Sequence, residues 1–396
     1  MFDRNYSGRE VSRRQTLAAV TGATVSGLAG VPTTVVGDSG REKRVTILAS
    51  GDESRETVTV SKRWYRHKQQ AIKVKEAMSR QFLGEGSIHS VGIESSDTVV
   101  GDLRGKRVRV TADPEGDVSA LDAVPSAVEG IPVRTVEEER PRQTACYNDR
   151  RDDVDGDGEN EFLGGMAFEG MKNIDDGGDA VEAGTLCCPV QYNGGTYMLT
   201  ARHVISGDVC KTPGITESDY GWGRTGNNED SVTPFGFVEA ALPDYDAALL
   251  TLESSDLQDF SGRITDEPDA EVVGRVTGDG IDTLASYPAT TVCKRSRKTC
   301  ATSGTIVSSR LTFKYDCGPF GDEQKEYGQV RTSATQEKGD SGGPVYLPIN
   351  DSSGTDELYL LNVATRNYGS DDYAQGSSAD ILHDQEDISF GSEKYY

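Results

Sequence analysis

From about Leu163 onward the chain is a series of short apolar runs cut by turn residues, and that rhythm excludes most folds. Thr185–Tyr192, Tyr197–Thr200, Phe235–Val238, Ala247–Leu252, Val272–Val276, Gly304–Val307, Leu311–Phe313, Gln329–Arg331, Pro344–Leu347 and Leu358–Val363 have strand length and are too short for helices. Asn193-Gly194-Gly195 separates the first two, and Asn-Gly accepts the positive φ of a tight turn, so they read as a hairpin. Many short strands with no helices between them predict an all-β sandwich or barrel. Ala379–His383 begins a short terminal helix that leaves His383 on the surface.

The N-terminal part follows other patterns. Ser12-Arg13-Arg14-Gln15-Thr16-Leu17 precedes a mildly apolar run, Ala18–Gly30, which resembles a twin-arginine export signal. The run is too short and too weakly apolar to span a membrane. Residues 1–36 are therefore read as a signal peptide, and the protein as secreted, extracellular and without a stable membrane anchor. Residues 31 to about 55 read as a linker. Thr57–Ser61 reads as a strand and His67–Phe82 as an amphipathic helix, with Ala71, Ile72, Val74, Ala77 and Met78 at helical spacing. With strand-like Ser90–Ile93, Arg107–Thr111 and Ile131–Val136, residues 37–145 make a small α/β pro- or accessory domain in which His67 and His89 are solvated or packing residues. Residues 146–162 read as an acidic linker, an exposed place for a processing cut. Its Asp153, Asp155, Asp157 and Gly158 match half a calcium loop, but the twelfth position, where a bidentate acid is needed, is Gly164.

Composition narrows the partners. With 65 acidic residues against 41 basic, the net charge is −24. Phosphate binding needs clustered Lys and Arg, so nucleic acid is excluded; a carboxylate-dense surface fits a halophilic protein. Seven cysteines occur, at 146, 187, 188, 210, 293, 300 and 317, and an odd count leaves at least one thiol unpaired. Export permits disulfides, and Cys293 with Cys300 would close a short loop. No paired cysteines have zinc spacing, so neither metal nor cofactor is expected.

Chemistry concentrates in Gly339-Asp340-Ser341-Gly342-Gly343-Pro344. Glycines on both sides of a serine let a substrate carbonyl approach and backbone N–H groups converge. Such a loop supplies a nucleophile and an oxyanion hole together. A base and a buried acid are available. His203 ends the strand-like Tyr197-Met-Leu-Thr-Ala-Arg-His, and Asp246 abuts the apolar Ala247–Leu252. A buried carboxylate needs a hydrogen-bonded partner, which an imidazole N–H provides. Asp244, two residues away, is the competing acid.

The order His203, Asp246, Ser341 is one of those in which this triad recurs. Thr200-Ala-Arg-His203, Asp246-Ala-Ala-Leu-Leu250 and the full GDSGGP run resemble the motifs of the chymotrypsin-like serine proteases. Val292–Ile306 and Gln329–Ser333 are most similar to the bacterial streptogrisin branch, and the acidic composition suggests a haloarchaeal type. The resemblance covers roughly the last three-fifths of the chain. It implies a double antiparallel β-barrel over 163–396, with His203 and Asp246 from the first barrel and Ser341 from the second. It further implies an endopeptidase, monomeric, acting on protein or peptide substrates, with Gly339 and Ser341 N–H groups as oxyanion hole. Asp340 is then buried against an internal base, Lys294, and Thr335 and Thr365 flank the substrate. Cys187 or Cys188 with Cys210 would bracket His203. No aspartate falls at a pocket-base position, and Ala364 stands where Glu-specific members carry histidine, so apolar or aromatic side chains are the expected preference. Two other classes fit the same residues: a catalytically silent peptide-binding protein, and an esterase or self-processing hydrolase.

Overall fold

The computed structural model describes residues 42–138, 161–172, 179–207, 220–225, 232–252, 259–265, 267–287, 289–315, 324–350, 356–368 and 371–391. The signal peptide, the calcium half-loop and Cys146, Cys210 and Cys317 lie outside them. Strands β1 (Glu42–Ser50) and β2 (Glu53–Ser61) form a hairpin that buries Val45, Ile47, Val58 and Val60. Helix α1 (Lys62–Phe82) starts where the Ser61 side chain accepts the Arg63 N–H at 3.2 Å. Its stripe of Ala71, Val74, Met78 and Phe82 packs on β3 (Ile88–Val100), β4 (Leu103–Ala112), the two-residue β5 (Ala127–Val128) and β6 (Ile131–Glu137).

After β7 (Glu161–Gly164), which lies outside its sheet, the first barrel is built from β8 (Ala167–Lys172), β9 (Asp179–Thr185), β10 (Pro189–Tyr192), β11 (Gly195–Ala201), helix α2 (Arg202–Ser206), β12 (Tyr220–Thr225), β13 (Val232–Leu242) and β14 (Ala247–Leu250). Its curled sheet runs β10-β11-β14-β13-β12-β8-β9. The β10–β11 turn has φ of 48° at Asn193 and 81° at Gly194, as the Asn-Gly pair requires. The second barrel follows: β15 (Asp259–Ile264), β16 (Glu267–Val276), α3 (Gly278–Leu284), β17 (Val292–Ser296), β18 (Cys300–Gly304), β19 (Ile306–Tyr315), β20 (Gln324–Thr332), β21 (Pro344–Asn350), β22 (Asp356–Tyr368), β23 (Asp371–Ser378) and α4 (Ala379–Glu386). Its order is β18-β17-β21-β22-β23-β20-β19. The fold is thus all-β, a double antiparallel barrel preceded by a small α/β unit.

Several expectations are corrected. Residues 42–50 are a strand, not linker, because β1 pairs with β2 along its length and with β16 at Leu48↔Val276 and Ala49↔Arg275. Charged residues on its exposed end hide the apolar alternation from a sequence reading. Helix α1 begins at Lys62, five residues earlier than periodicity gives, because the Ser61 cap lies there. The β-rich part also holds two short helices, α2 and α3, too short for periodicity to reveal. The N-terminal strands also pair beyond their own unit. Its β3 extends the second barrel's sheet through Glu94↔Ser308 and Ser90↔Phe313. One apolar cluster joins Val45, Ile47, Val60 and Trp64 to Val276, Leu284, Val330 and Leu347.

His383 is not a free surface group. Its Nδ1 bonds Ile388 O at 2.9 Å, its Nε2 bonds Asp52 at 3.2 Å, and the side chain is 13% exposed. His67 packs against the Lys106 backbone and His89 against the Glu138 carbonyl. Cys187, Cys188 and Cys300 carry free thiols, and Cys293 lies in β17. In the β17–β18 register Cys293 faces Ser303 and Cys300 faces Ser296. Three strand positions, about 10 Å, separate the two cysteines, too far for a bridge.

Candidate active site

Strand β11 ends at Ala201 and the chain turns at once into α2, which places His203 at the rim of the first barrel. Asp246 follows a 3₁₀ turn, Pro243–Tyr245, with φ of 50°, a left-handed conformation that aspartate tolerates better than most side chains. The turn is tied to α2 by the Arg202 N–H, which donates to Asp246 O at 3.0 Å. The carboxylate then receives the His203 backbone N–H at 2.9 Å on Oδ1 and His203 Nδ1 at 2.7 Å on Oδ2. Both side chains are buried. Bonding at Nδ1 leaves Nε2 on the opposite edge of the ring. Asp244 makes no such contact with His203 among the described residues.

Burial works against the Asp246 charge, but His203, then Arg366 and Arg202, outweigh it and hold its pKa down to about 2. A carboxyl whose pKa is lower folded than unfolded stabilises the fold above the unfolded value. That contribution is lost as pH falls through the folded one. Urea unfolding of wild type and Asp246→Asn should therefore show a stability difference that shrinks by about 2 kcal/mol between about pH 4 and pH 2. A difference flat over that range would contradict the buried pairing.

The 337–343 loop is organised by Asp340, which is fully buried. Lys294 Nζ, also fully buried, donates to Oδ2 at 2.8 Å, joined by Thr299 Oγ1 at 2.7 Å and the Glu337 N–H at 2.8 Å. Oδ1 takes the N–H groups of Lys298 and Thr299 at 2.9 and 3.0 Å. Burial raises the Asp340 carboxyl, yet Lys294 and these donors bring it below the ordinary carboxylate range. Gly339 (φ 102°) and Gly342 (φ 94°) give the loop turns closed to other residues. Their neighbour Ser341 is anchored by its own carbonyl, which accepts the Thr185 N–H at 2.8 Å. Among the described residues neither the Gly339 nor the Ser341 N–H is given a hydrogen-bond acceptor.

The two barrels meet at this loop. A Cβ on Gly342 would lie 2.2 Å from Thr200 Oγ1 and 3.2 Å from Ala201 N, two residues before His203. The Ser341 carbonyl oxygen lies 2.9 Å from the Cβ position of Gly184, which is itself 2.6 Å from Val204 Cγ1, one residue after His203. The Ser341 hydroxyl donates to Thr365 O at 3.1 Å rather than to the imidazole. Thr365 is buried, and its Oγ1 bonds Gln375 O at 3.4 Å. Thr335 is half-buried, with its carbonyl accepting Thr302 Oγ1 at 3.1 Å.

Two residues that the sequence reading passed over belong to the site. Arg366, next to Thr365 in β22, donates from Nη2 to Asp246 Oδ2 at 3.3 Å. Both its Nη groups also donate to the carboxylate of Glu326 on β20, and its guanidinium lies 4.2 Å from the Tyr315 ring centroid. Arg366 and Glu326 are fully buried. A lone arginine closing the apolar Leu360–Thr365 run is the signal that could have found it. Among the described residues no cluster of three or more His, Cys, Asp or Glu could hold a metal ion.

No protein-family model matches the sequence, and no curated protein matches it. Solved structures do. Thermobifida fusca protease A is similar over 58% of this chain and 98% of its own, at 18% identity and a TM-score of 0.37. Nocardiopsis protease is similar over 59% and 100%, at 17% identity and a TM-score of 0.38. A glutamic-acid-specific serine protease is similar over 58% and 99%, at 19% identity and a TM-score of 0.37. Likenesses of this size carry no chemistry across; the geometry of His203, Asp246 and Ser341 has to do so.

Proposed function

We propose that the protein is a serine endopeptidase, released from the cell, that hydrolyses peptide bonds through an acyl-enzyme. The observation that carries this reading is the buried Asp246–His203 pair, 2.7 Å at Nδ1, beside a glycine-framed serine. In this mechanism the Ser341 hydroxyl swings from Thr365 O toward His203 Nε2. Oγ attacks the substrate carbonyl as Nε2 takes the proton, and the imidazolium later protonates the leaving amine. Asp246 fixes the tautomer and balances the imidazolium charge. The N–H groups of Gly339 and Ser341 hold the oxyanion, and Lys294 keeps Asp340, and with it the loop, in place. Thr335 and Thr365 bound the substrate side chain and backbone; no charged group of theirs selects a basic or acidic residue, which favours apolar or aromatic ones. Labelling with a fluorophosphonate and sequencing the modified peptide tests the assignment: the adduct is expected on Ser341, and a protein that takes no label there overturns it.

No helix among the described residues is long and apolar enough to cross a membrane; release rests on reading residues 1–36 as an export signal. The shared core supports reading 37–145 as a permanent part of the enzyme rather than a shed prosegment. A specific protease site placed near residue 150 and cut there should leave both pieces in one peak on gel filtration. Separation of the pieces without denaturant would return the unit to the role of a removable prosegment.

A further inference from the structure

The carboxylate of Asp246 is shared. Its Oδ2 receives His203 Nδ1 at 2.7 Å and Arg366 Nη2 at 3.3 Å, so a permanent cation sits beside the acid that orients the base. Alone, that cation would weaken Asp246 as a partner for an imidazolium. It is not alone, because the Glu326 carboxylate accepts both Nη groups of the same guanidinium. Burial works against the Arg366 charge, but Glu326 and Asp246 keep it firmly protonated.

We propose that Arg366, anchored by Glu326, is a positioning residue of the triad: it clamps the Asp246 carboxylate against His203 and sets how readily the imidazole takes the Ser341 proton. The proposal deepens the peptidase reading and rests on it for its catalytic half.

The charged and titratable groups around His203 come from five elements. They are Asp246 in the turn before β14, Arg202 on α2, Arg366 on β22, Glu326 on β20 and Tyr315 on β19, which stacks under Arg366. With His203 neutral and Tyr315 un-ionised, the two arginines and two carboxylates cancel. Arg366 is in direct contact with Asp246, whereas Glu326 acts from behind it. Removing the arginine therefore leaves His203 facing an uncompensated acid, and removing the glutamate leaves it facing an uncompensated cation. The two changes should act in opposite directions, which a purely structural role would not produce.

The test is a ¹³C-histidine NMR titration of the full chain, whose four histidines give few ring signals to assign. Arg366→Gln should move the His203 midpoint up by roughly one pH unit, and Glu326→Gln, whose charge lies behind the arginine, should move it down by less. Arg366→Lys keeps the charge but loses the fork, and should stay within a few tenths of a unit. The acid limb of kcat/KM on a peptide substrate should follow each midpoint, with KM little changed. Should neither single exchange fold, Arg366→Met/Glu326→Met removes both charges together and is still expected to shift the midpoint upward. Midpoints equal to wild type in the folded glutamine variants, or moving the same way in both of them, overturn the proposal. A shift with Arg366→Gln alone removes Glu326 from it. Shifted midpoints in the variants of a wild-type protein that cleaves no peptide would instead sink the peptidase reading and leave the clamp standing.

Discussion

Replacing Ser341 with alanine is expected to lower casein and peptide hydrolysis by a factor on the order of 10⁵ to 10⁶. In the proposed mechanism the serine hydroxyl forms the acyl-enzyme, and what survives its loss is the contribution of the oxyanion donors and binding alone. His203→Ala should cost about as much, and the double exchange little more, because the two act as one unit. Asp246→Asn should cost about 10⁴-fold, since the amide can present the wrong hydrogen-bonding group to His203 Nδ1. Ser341 is half-exposed in its loop and, among the described residues, its side chain bonds only Thr365 O, so the variant should unfold at the same urea concentration as wild type. Undiminished hydrolysis in the alanine variant would remove Ser341 from the mechanism. Equal peptide binding with no hydrolysis in either protein would identify a silent protease-fold binder.

The second large effect is expected at Lys294. Lys294→Met leaves the Asp340 carboxylate buried without its cation, and stranding one partner of such a pair costs about 3–5 kcal/mol. The backbone donors of Glu337, Lys298 and Thr299 soften the penalty without neutralising the charge. Because the same carboxylate holds 337–343 together, lost stability should be accompanied by a disordered oxyanion site and a fall in kcat. Thermal unfolding and active-site titration check both. The double exchange Lys294→Met/Asp340→Asn, which strands no charge, should recover much of the stability. Since the cation is internal, one extra residue at a processed N-terminus should leave activity intact. Loss of activity on that addition, with Lys294→Met harmless, would show that another cation serves Asp340.

The site's local motifs were legible because each is a short run with its own physical signature. The glycines around Ser341 are needed for φ above 90°, and Asp246 had to be buried beside Ala247–Leu250 and therefore had to have a donor. What could not be read is what arrives from far along the chain. Arg366 lies 120 positions from Asp246, and nothing near either residue announces the contact. Likewise β1 looked like linker because its charges face water and its partner β16 is more than 200 residues away. Cys293 and Cys300 suggested a loop closure by their spacing, but the hairpin register, set by backbone pairing along β17 and β18, holds them apart. The hairpin at Asn193-Gly194 was legible for the opposite reason, since its geometry is decided by two adjacent residues.

The seam between β3 and β19 has a consequence for how the chain acquires its shape. Residue 94 waits for residue 308, and residue 48 for residue 276, so β1 and β3 cannot finish their sheet until more than 200 further residues have been made. Pairings of such separation pay their loop-closure entropy before any reward and make maturation slow. Until then the unpaired edge of β3 is a template for mispairing, which a crowd of repelling carboxylates on neighbouring copies would help keep apart.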